Sequence, residues 1–388
     1  MTPAMTPTSV PLPAVRLWSP YRLASYRYRS FDDGRSAAVA DLLSDAEAAL
    51  QTTAESVTHK SALPPSGDPH DYQSTGPYWW PNPDTASGLP YVRRDGEVNP
   101  DRHGDDSARL KRMERAVGTL CLAAYVSGEE RFAAHAARHL RTWFLDPETR
   151  MNPHLEYGQA IPGVCAGRDI GIIDTHLLPE MLDAVALLDG FPAAWGEDDR
   201  RGLDAWFAAF LGWLLTSEKG RGEAAQHNNH GTWYDVQVAY YAFHTGRESA
   251  AREILSAAAE RRVRAHVADD GAQPHELART RSFHYSAMNL HGLMDLATLA
   301  APVGIDLWNV GDGDCPLSRR ALDFLLARRT AWPYPQIAPF DADSLLMPHL
   351  LRASRAWPDA GYGAAADALC AAGRDRACLL YGAPPSTA

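Results

Sequence analysis

The stretch that decides the fold runs from Ala225 to Tyr285 and reads AQHNNHGTWYDVQVAYYAFHTGRESAAREILSAAAERRVRAHVADDGAQPHELARTRSFHY. It contains two amphipathic runs, 235–244 and 249–267, in which apolar residues recur at helical spacing. A polar cluster precedes the first run at 226–234, and a second follows the other run at 276–286. Two helices joined as a hairpin would bring the two clusters together.

The two clusters offer an amide, an imidazole, a guanidinium and a phenol, with no pattern of metal ligands. This set suits removal of a proton next to a carboxylate. Asn229 and Arg279 would neutralise the acid, and Tyr285 or His230 would move the proton. The chemistry is that of a polysaccharide lyase, and neither a metal nor a cofactor is expected. Asn228 fits better as the N-cap of the first helix than as a catalytic residue.

Outward from this stretch the chain reads as almost wholly helical, with eleven or twelve helices and no convincing alternating strand. No repeat or linker divides it, so we predict an irregular N-terminal segment at 1–30 and a single domain at 31–388. The predicted helical runs are 35–56, 106–127, 130–144, 175–188, 198–217, 233–244, 249–267, 287–300, 317–328, 344–356 and 363–380.

Two all-α architectures accommodate such helix pairs, an open solenoid and a closed toroid. Long polar loops between the helices favour the toroid, because loops that crowd one rim can build a site. The predicted fold is therefore an (α/α) toroid, an incomplete barrel of helical hairpins with long loops over a central cleft.

The two longest loops supply candidate sugar contacts. Residues 63–105 lack helical periodicity and are rich in Pro, Gly and aromatic residues, and a loop of this length is usually functional or disordered. Aromatic faces in a cleft can stack on pyranose rings, although the same side chains can equally pin the loop to the core. The candidates for substrate binding are Tyr72, Tyr78, Trp79 and Trp80 in this loop, Tyr157 and Gln159 in the loop at 146–171, and Trp233 and Arg281 in the polar clusters.

Composition limits the partners. The net charge of -11 and the absence of a Lys/Arg run argue against nucleic acid. A cleft lined with arginines can still attract an anionic polysaccharide to an acidic protein. Loop arginines available for this are Arg93, Arg94, Arg102, Arg168, Arg279 and Arg281.

The chain contains no run of eighteen apolar residues, so no membrane span is expected. The first thirty residues lack the apolar core of a secretion signal, which predicts a cytoplasmic protein, or a secreted or periplasmic one if a leader has been removed. The oligomeric state is left open. The five cysteines, which are interpreted as free core thiols rather than a disulfide or metal site, are Cys121, Cys165, Cys315, Cys370 and Cys378.

Several motifs in order along residues 65–310 resemble the alginate-lyase-type domain, most closely polysaccharide lyase family 38, a relative of the family 5 mannuronate lyases. The motifs are GDPHDY (67–72), PYWWP (77–81), DGEVNP (95–100), RTWFL (141–145), YGQAIPG (157–163), NNHGTWY (228–234) and ELART (276–280). The resemblance implies an (α/α) toroid and a metal-free β-elimination on β-1,4-linked uronic acid polymers, either mannuronate-rich alginate or glucuronan.

Residue by residue, the resemblance places the family's Asn-His pair on Asn229 and His230, its carboxylate-neutralising arginine on Arg279 and its catalytic tyrosine on Tyr285. Compared with family 5, the chain is one residue shorter between that arginine and that tyrosine, so Arg281 is kept as an alternative to Arg279.

The chemistry also follows from the substrate. In mannuronate and glucuronate the C5 hydrogen and the C4 leaving oxygen lie on the same side of the ring, so one phenol can act as base and then as acid. Its pKa would have to fall from about 10, and a neighbouring cation such as Arg279 or His230 is expected to lower it.

Two other functions fit parts of the sequence. A glycoside hydrolase on a helical toroid would need two carboxylic acids flanking the scissile bond, and no recognisable pair stands out. A non-catalytic carbohydrate-binding protein would keep the aromatic residues without needing the His, Arg and Tyr set.

Overall fold

The computed structural model describes residues 12–27, 36–102, 106–372 and 376–382. Helices dominate these ranges, and antiparallel neighbours pack as hairpins. The helices are α1 Pro20–Arg27, α2 Ser36–Ala49, α3 Asp106–Ser127, α4 Glu130–Leu140, α5 Leu178–Ala186, α6 Glu197–Thr216, α7 Glu218–Ala224, α8 Asn229–His244, α9 Glu248–Ala258, α10 Pro274–Leu277, α11 Ser282–Ala300, α12 Leu317–Arg328, α13 Ala342–Ala356, α14 Tyr362–Ala372 and α15 Ala377–Leu380.

Three helices, α3, α8 and α11, are buried along most of their length and form the inner layer. A helix that is buried on nearly every side must be covered by other helices. Here α4 covers α3, while α9 packs against both α8 and α11. The arrangement is the incomplete (α/α) toroid predicted from the sequence, with the long loops over its central cleft.

Four short strands hold the long loops in place, and the prediction of no strand is wrong at these positions. They are β1 Gln73–Thr75, β2 Trp79–Trp80, β3 Val92–Arg93 and β4 Tyr157–Ala160. Strand β1 pairs in parallel with β4, and β2 pairs antiparallel with β3. Strands of two to four residues are too short for an alternating pattern to appear in the sequence. The β1–β4 pair ties the two predicted loops to each other.

The inner helices α8 and α11 begin earlier than the predicted residues 233 and 287. Helix α8 begins at Asn229, because the side chain of Asn228 accepts a hydrogen bond from the backbone N–H of His230 at 3.2 Å. This confirms the N-cap prediction for Asn228. Helix α11 begins at Ser282, whose hydroxyl donates to the carbonyl of Pro335. His230 and Tyr285 therefore lie in the first turns of two inner helices.

The predicted irregular segment at 1–30 contains α1, so the prediction is wrong for residues 20–27. Proline at the first helical position suits a helix start. Leu23 and Tyr26 are buried, and the Nε of Arg22 donates to the carbonyl of Cys378 at 2.7 Å. Residues 1–11 and 28–30 of that segment lie outside the described ranges.

One cysteine pair also differs from expectation, because Cys370 and Cys378 form a disulfide. A continuous helix over 363–380, as predicted, would hold their Cα atoms about 12 Å apart. The chain instead ends α14 at Ala372 and begins α15 at Ala377, so the Cα atoms are 6.0 Å apart. Cys121, Cys165 and Cys315 are free thiols, as predicted. In the described ranges no helix has the length and apolar character needed to cross a membrane.

Candidate active site

A cleft of about 410 Å³ opens where the first turns of α8 and α11 meet the segment around β2 and the loop after β4. All four predicted catalytic residues, Asn229, His230, Arg279 and Tyr285, line this cleft. The α8–α9 hairpin thus brings the two polar clusters together, as the sequence predicts. Each of the four side chains is held by an acidic or phenolic partner.

Asn229 is held by Glu276. The Asn229 backbone N–H donates to Oε1 of Glu276 at 2.7 Å, and its Nδ2 donates to Oε2 at 2.8 Å. Burial raises the pKa of the Glu276 carboxyl, and the two hydrogen bonds from Asn229 oppose that rise. The contact fixes the amide at the wall of the cleft and joins the start of α8 to α10.

His230 is held by Glu223 of α7. Its Nδ1 lies 2.9 Å from Oε1 of Glu223, whose side chain is fully buried. Burial alone would lower the pKa of His230, but the charge and hydrogen bond of Glu223 outweigh burial and raise it. The pairing favours a protonated imidazole and leaves Nε2 as the ring nitrogen available to a ligand.

Arg279 is held by Asp95, which follows β3. Its Nη2 donates to Oδ1 of Asp95 at 2.9 Å and its Nε to Oδ2 at 3.2 Å. Burial alone would raise the pKa of Asp95, but the hydrogen bonds and charge of Arg279 outweigh it and hold that pKa well below its usual range. Thr280 also donates to Asp95 from its backbone and its hydroxyl. Asp95 thus balances the charge of Arg279 and fixes its position.

Tyr285 hydrogen-bonds to Tyr78 through the two phenol oxygens. The guanidinium carbon of Arg279 lies 3.9 Å from the centroid of the Tyr285 ring. Burial raises the pKa of Tyr285, and Tyr78 adds to this because two adjacent phenolates would repel each other; the charge of Arg279 opposes the rise without reversing it. The predicted lowering of this pKa is therefore wrong, because burial and Tyr78, with a smaller contribution from Asp95, outweigh the guanidinium. Tyr285 is a phenol at neutral pH.

More cations than carboxylates line the cleft although the protein is acidic. The expectation of an arginine-lined cleft is confirmed for Arg93, Arg168 and Arg279, whereas Arg94, Arg102 and Arg281 do not line it. Four permanent cations line it: Arg93, Lys111, Arg168 and Arg279. Among the described lining residues the one carboxylate is Asp174, which accepts from Tyr72, Ser74 and Gln159. Such a cleft attracts anions. It does not supply the two facing carboxylic acids that a glycoside hydrolase would use.

Three of the predicted substrate-binding residues, Tyr78, Trp79 and Gln159, line the cleft. Trp79 is half-buried and begins β2, so it presents a ring at the wall. Gln159 is buried and has φ 49°, in the left-handed region that residues other than glycine rarely adopt. Its side chain donates to Asp174 and accepts from Arg168, which holds the backbone in that conformation.

The other five predicted substrate-binding residues lie outside the cleft lining. Tyr72 is fully buried and donates to Asp174, so it cannot stack on a sugar. Trp233 is buried and stacks on His291, 5.8 Å between ring centroids. Trp80 is covered by Arg94 and donates to the carbonyl of Glu97. The predictions for Tyr72 and Trp233 are wrong because their buried rings serve packing, whereas Trp80 is half-buried and its role stays a prediction.

Tyr157 and Arg281 do not line the cleft either. Tyr157 is paired with Gln73 in the β1–β4 sheet. Arg281 pairs through its backbone with Gln336 and packs its side chain on the Gly96 turn, where a Cβ on Gly96 would lie 3.1 Å from Arg281 Cγ. Between the two candidate arginines, the structure brings Arg279 into the cleft.

Sequence reasoning did not identify the groups that hold the site. Asp95 and Glu276 stand in motifs that were noted, but their partners were not predicted. Glu223 lies seven residues before His230 on a different helix, so no helical spacing links them. Arg168 was noted as a loop arginine, and Lys111 is on α3, where it reads as a solvated helix residue.

A group of potential metal ligands, Glu180, His291 and Asp295, lies outside this cleft. Their ligand atoms lie within 4.8 Å of one another. The guanidinium of Arg352 lies 2.7 Å from Asp295, and Tyr381 donates to Glu180 at 2.7 Å. The group is therefore part of a partly buried ion network in which Arg352 supplies positive charge.

Comparisons with known proteins agree with the fold. The model of the alginate lyase family matches residues 56–331. An alginate lyase from Bacteroides ovatus, known from its crystal structure, shares 38% sequence identity with this chain. The two structures align with a TM-score of 0.90 over 95% of this chain and 99% of that one. Alginate lyase A1-III from Sphingomonas species A1 is 17% identical, with a TM-score of 0.55, covering 96% of this chain and 98% of that one, which is a likeness of fold. A comparison with curated proteins finds no match.

The family model covers most of the chain, and the Bacteroides ovatus enzyme matches it from end to end at an identity well above that of a shared fold alone. Together with an electropositive cleft that holds the Asn, His, Arg and Tyr set, these findings identify the chain as a member of the alginate lyase family of polysaccharide lyases.

Proposed function

We propose that this lyase cleaves β-1,4-linked uronic acid polymers, mannuronate-rich alginate or glucuronan, by syn β-elimination that leaves 4,5-unsaturated uronate ends. The observation that carries the proposal is the convergence of Asn229, His230, Arg279 and Tyr285 on one electropositive cleft. Elimination has two requirements, a place for the negative charge that develops on the carboxylate and a group that moves a proton from C5 to O4.

Asn229 and His230 are the groups proposed to meet the first requirement. When the C5 proton leaves, charge spreads onto the uronate carboxylate, and donors already aimed at it lower the barrier. The Asn229 Nδ2 keeps a second hydrogen beyond the one given to Glu276. His230, protonated because Glu223 raises its pKa, can donate from Nε2. Arg279 adds positive charge beside them and is held rigidly by Asp95.

Tyr285 is proposed to meet the second requirement. Because it is a phenol in the free protein, it must lose its proton before its oxygen can accept the one from C5. Tyr78 is hydrogen-bonded to it and half-exposed, so it can pass its own proton to water and take the proton of Tyr285. Arg279 against the ring then stabilises the Tyr285 phenolate. The phenolate takes the C5 proton and returns it to O4 as the C4–O4 bond breaks, which regenerates the phenolate.

The class of substrate follows from the charge of the cleft and the chemistry of syn elimination. Four cations favour a polymer that carries a carboxylate on every residue, and Trp79 offers a ring face for a pyranose. Mannuronate and glucuronate both carry the C5 hydrogen and the C4 oxygen on the same side, as a single proton carrier requires. They differ at C2, which is remote from the reacting atoms.

The test is a screen of polymannuronate, polyguluronate, glucuronan and hyaluronan, followed by the ultraviolet absorbance of the conjugated double bond in the product. We expect absorbance with polymannuronate or glucuronan. A hydrolase would release reducing ends without that absorbance, and a binding protein would release neither. Either of those results would refute the proposed function.

A further inference from the structure

We infer that Arg168, held by Gln159 beside Trp79, is a second carboxylate-binding group of the cleft, which recognises the uronate next to the one that reacts at Tyr285. The inference rests on the proposed function, because it assigns a residue to the recognition of the same polymer. It comes from a contrast between the charge partners of the cleft arginines.

Two cleft arginines share one counter-charge. Arg279 and Arg93 both bind Asp95, with nitrogen–oxygen distances of 2.9 Å and 2.7 Å. The positive charge of Arg279 is therefore partly balanced by the carboxylate of Asp95. Lys111 also lines the cleft, but its side chain is exposed and nothing in the described part of the chain fixes it.

Arg168 is held by a neutral residue instead. Its Nε donates to the backbone carbonyl of Gln159 at 2.9 Å, and its Nη2 donates to the side-chain oxygen of Gln159, also at 2.9 Å. No carboxylate of the described residues forms an ion pair with it, and Asp169 and Asp174 act on it at longer range. Burial lowers the pKa of Arg168, because a guanidinium in a partly dry cleft lacks a close counter-charge.

Several features hold Arg168 in this orientation. Gln159 is fixed in its left-handed backbone conformation by hydrogen bonds to Ser74 and Asp174. Gly76 leaves room for the guanidinium, since a Cβ there would lie 2.7 Å from Arg168 Nη2 and 2.6 Å from Trp79 Cδ1. Strained backbone of this kind persists where the surroundings over-determine it, and it is concentrated at functional sites. A rigid, unpaired guanidinium is preorganised for a planar carboxylate.

The place of Arg168 in the cleft separates it from the reacting sugar. Tyr78 contacts Tyr285, whereas the next residue, Trp79, contacts Arg168, with 5.9 Å between the guanidinium carbon and the ring. Arg168 therefore lies beside the catalytic group rather than at it. A polymer with a carboxylate on every sugar would place its next carboxylate there while the Trp79 ring meets the sugar face.

The test compares Arg168→Gln with Arg168→Lys and with Arg94→Gln, which removes the same charge from an exposed arginine outside the cleft lining. With polymannuronate, Arg168→Gln should raise KM about ten- to hundredfold, the usual worth of a hydrogen bond to a charged group, with a much smaller change in kcat. Arg168→Lys should recover part of the loss, and Arg94→Gln should match the wild type. A purely structural role would instead lower kcat and the Tm together.

A second substrate gives the sharper result. When part of the polymannuronate carboxylates are reduced to alcohols, the wild type should avoid cleaving next to a neutral sugar, as read by mass spectrometry of the products. Arg168→Gln should lose this bias. An unchanged KM together with a retained bias would overturn the inference even if the protein is an active lyase.

Affinity is also measured by calorimetry in the Tyr285→Phe background, where binding does not depend on turnover. We expect Arg168→Gln to weaken polymannuronate binding there by the same factor as it raises KM. If no polymer yields an unsaturated product, the proposed function fails. Independently of that result, an unchanged polymannuronate affinity of Arg168→Gln in the calorimetry would refute the role of Arg168.

Discussion

The guanidinium of Arg279 lies 3.9 Å from the ring centroid of Tyr285 while both of its hydrogen-bonding nitrogens point to Asp95. One cation thus contacts the phenol face and a carboxylate at once. The cation favours the Tyr285 phenolate, whereas burial, Tyr78 and Asp95 together outweigh it and raise the pKa of Tyr285. This relationship leads to the first two predictions.

Replacing Asp95 by asparagine should lower the pKa of Tyr285. Asp95 raises that pKa and Arg279 lowers it, so removal of the carboxylate charge takes away one of the effects that oppose Arg279, although burial still raises the pKa. The change is measured by ultraviolet or carbon NMR titration of the phenol in a Tyr78→Phe background, where Tyr285 titrates without its phenolic neighbour. An unchanged or higher pKa would contradict the role assigned to Asp95.

Arginine 279, rather than Arg281, should matter for turnover. Arg279→Ala removes a cation from the reacting centre, which should lower kcat/KM by about 10²- to 10³-fold. The substitution also leaves the partly buried Asp95 without this partner, so the Tm should fall. Arg281→Ala is the matched control, because Arg281 lies outside the cleft lining. Steady-state kinetics with polymannuronate or glucuronan decide between them, and a greater loss for Arg281→Ala would reverse the assignment.

Tyr285→Phe should lower kcat by about 10²- to 10⁴-fold, the usual contribution of a general acid–base group, with little change in polymer affinity. The ring and its contact with Arg279 remain, whereas the oxygen that carries the proton is lost. The control is Tyr362→Phe, which removes a phenol that donates to Asp323 on the surface of the toroid. Substantial residual activity in Tyr285→Phe would remove this residue from proton transfer.

Glu223→Gln should lower the pKa of His230, because burial and the charge of Arg279 are then opposed by Glu276 alone. In the wild type the raised pKa means that the protonated His230 contributes stability in full below about pH 6.5, and that this contribution is lost as the pH rises through the raised pKa. Imidazole NMR follows the pKa directly.

The same variant should shift the pH dependence of turnover. If protonated His230 holds the substrate carboxylate, wild-type activity falls on the alkaline side as the imidazole loses its proton, and Glu223→Gln moves that fall to lower pH. On the acid side, burial raises the pKa of Glu223, so the ion pair is lost when that carboxyl gains its proton. An alkaline limb that stays in place after the substitution would show that His230 acts in its neutral form.

Much of the fold was readable from local patterns. Apolar residues at helical spacing predicted most of the helices, and Asn228 marked the start of α8 because a capping side chain acts within three residues. The motif NNHGTWY and the ELART segment pointed to Asn229, His230 and Arg279, and Tyr285 followed six residues later. The four short strands were missed because strands of two to four residues show no alternating pattern. The break between α14 and α15 was missed because helical spacing does not record the disulfide that joins Cys370 to Cys378.

The sequence by itself determined which reactive groups the protein carries and that helices would present them, because residue type and helical spacing are local properties. Tertiary structure alone decided their charge states and partners. Asp95 is 184 residues from Arg279, and Tyr78 is 207 residues from Tyr285. Whether an aromatic ring lines the cleft or the core, as Trp79 and Tyr72 do respectively, also depends on burial. Burial and long-range electrostatics arise when the chain has folded, so no local pattern records them.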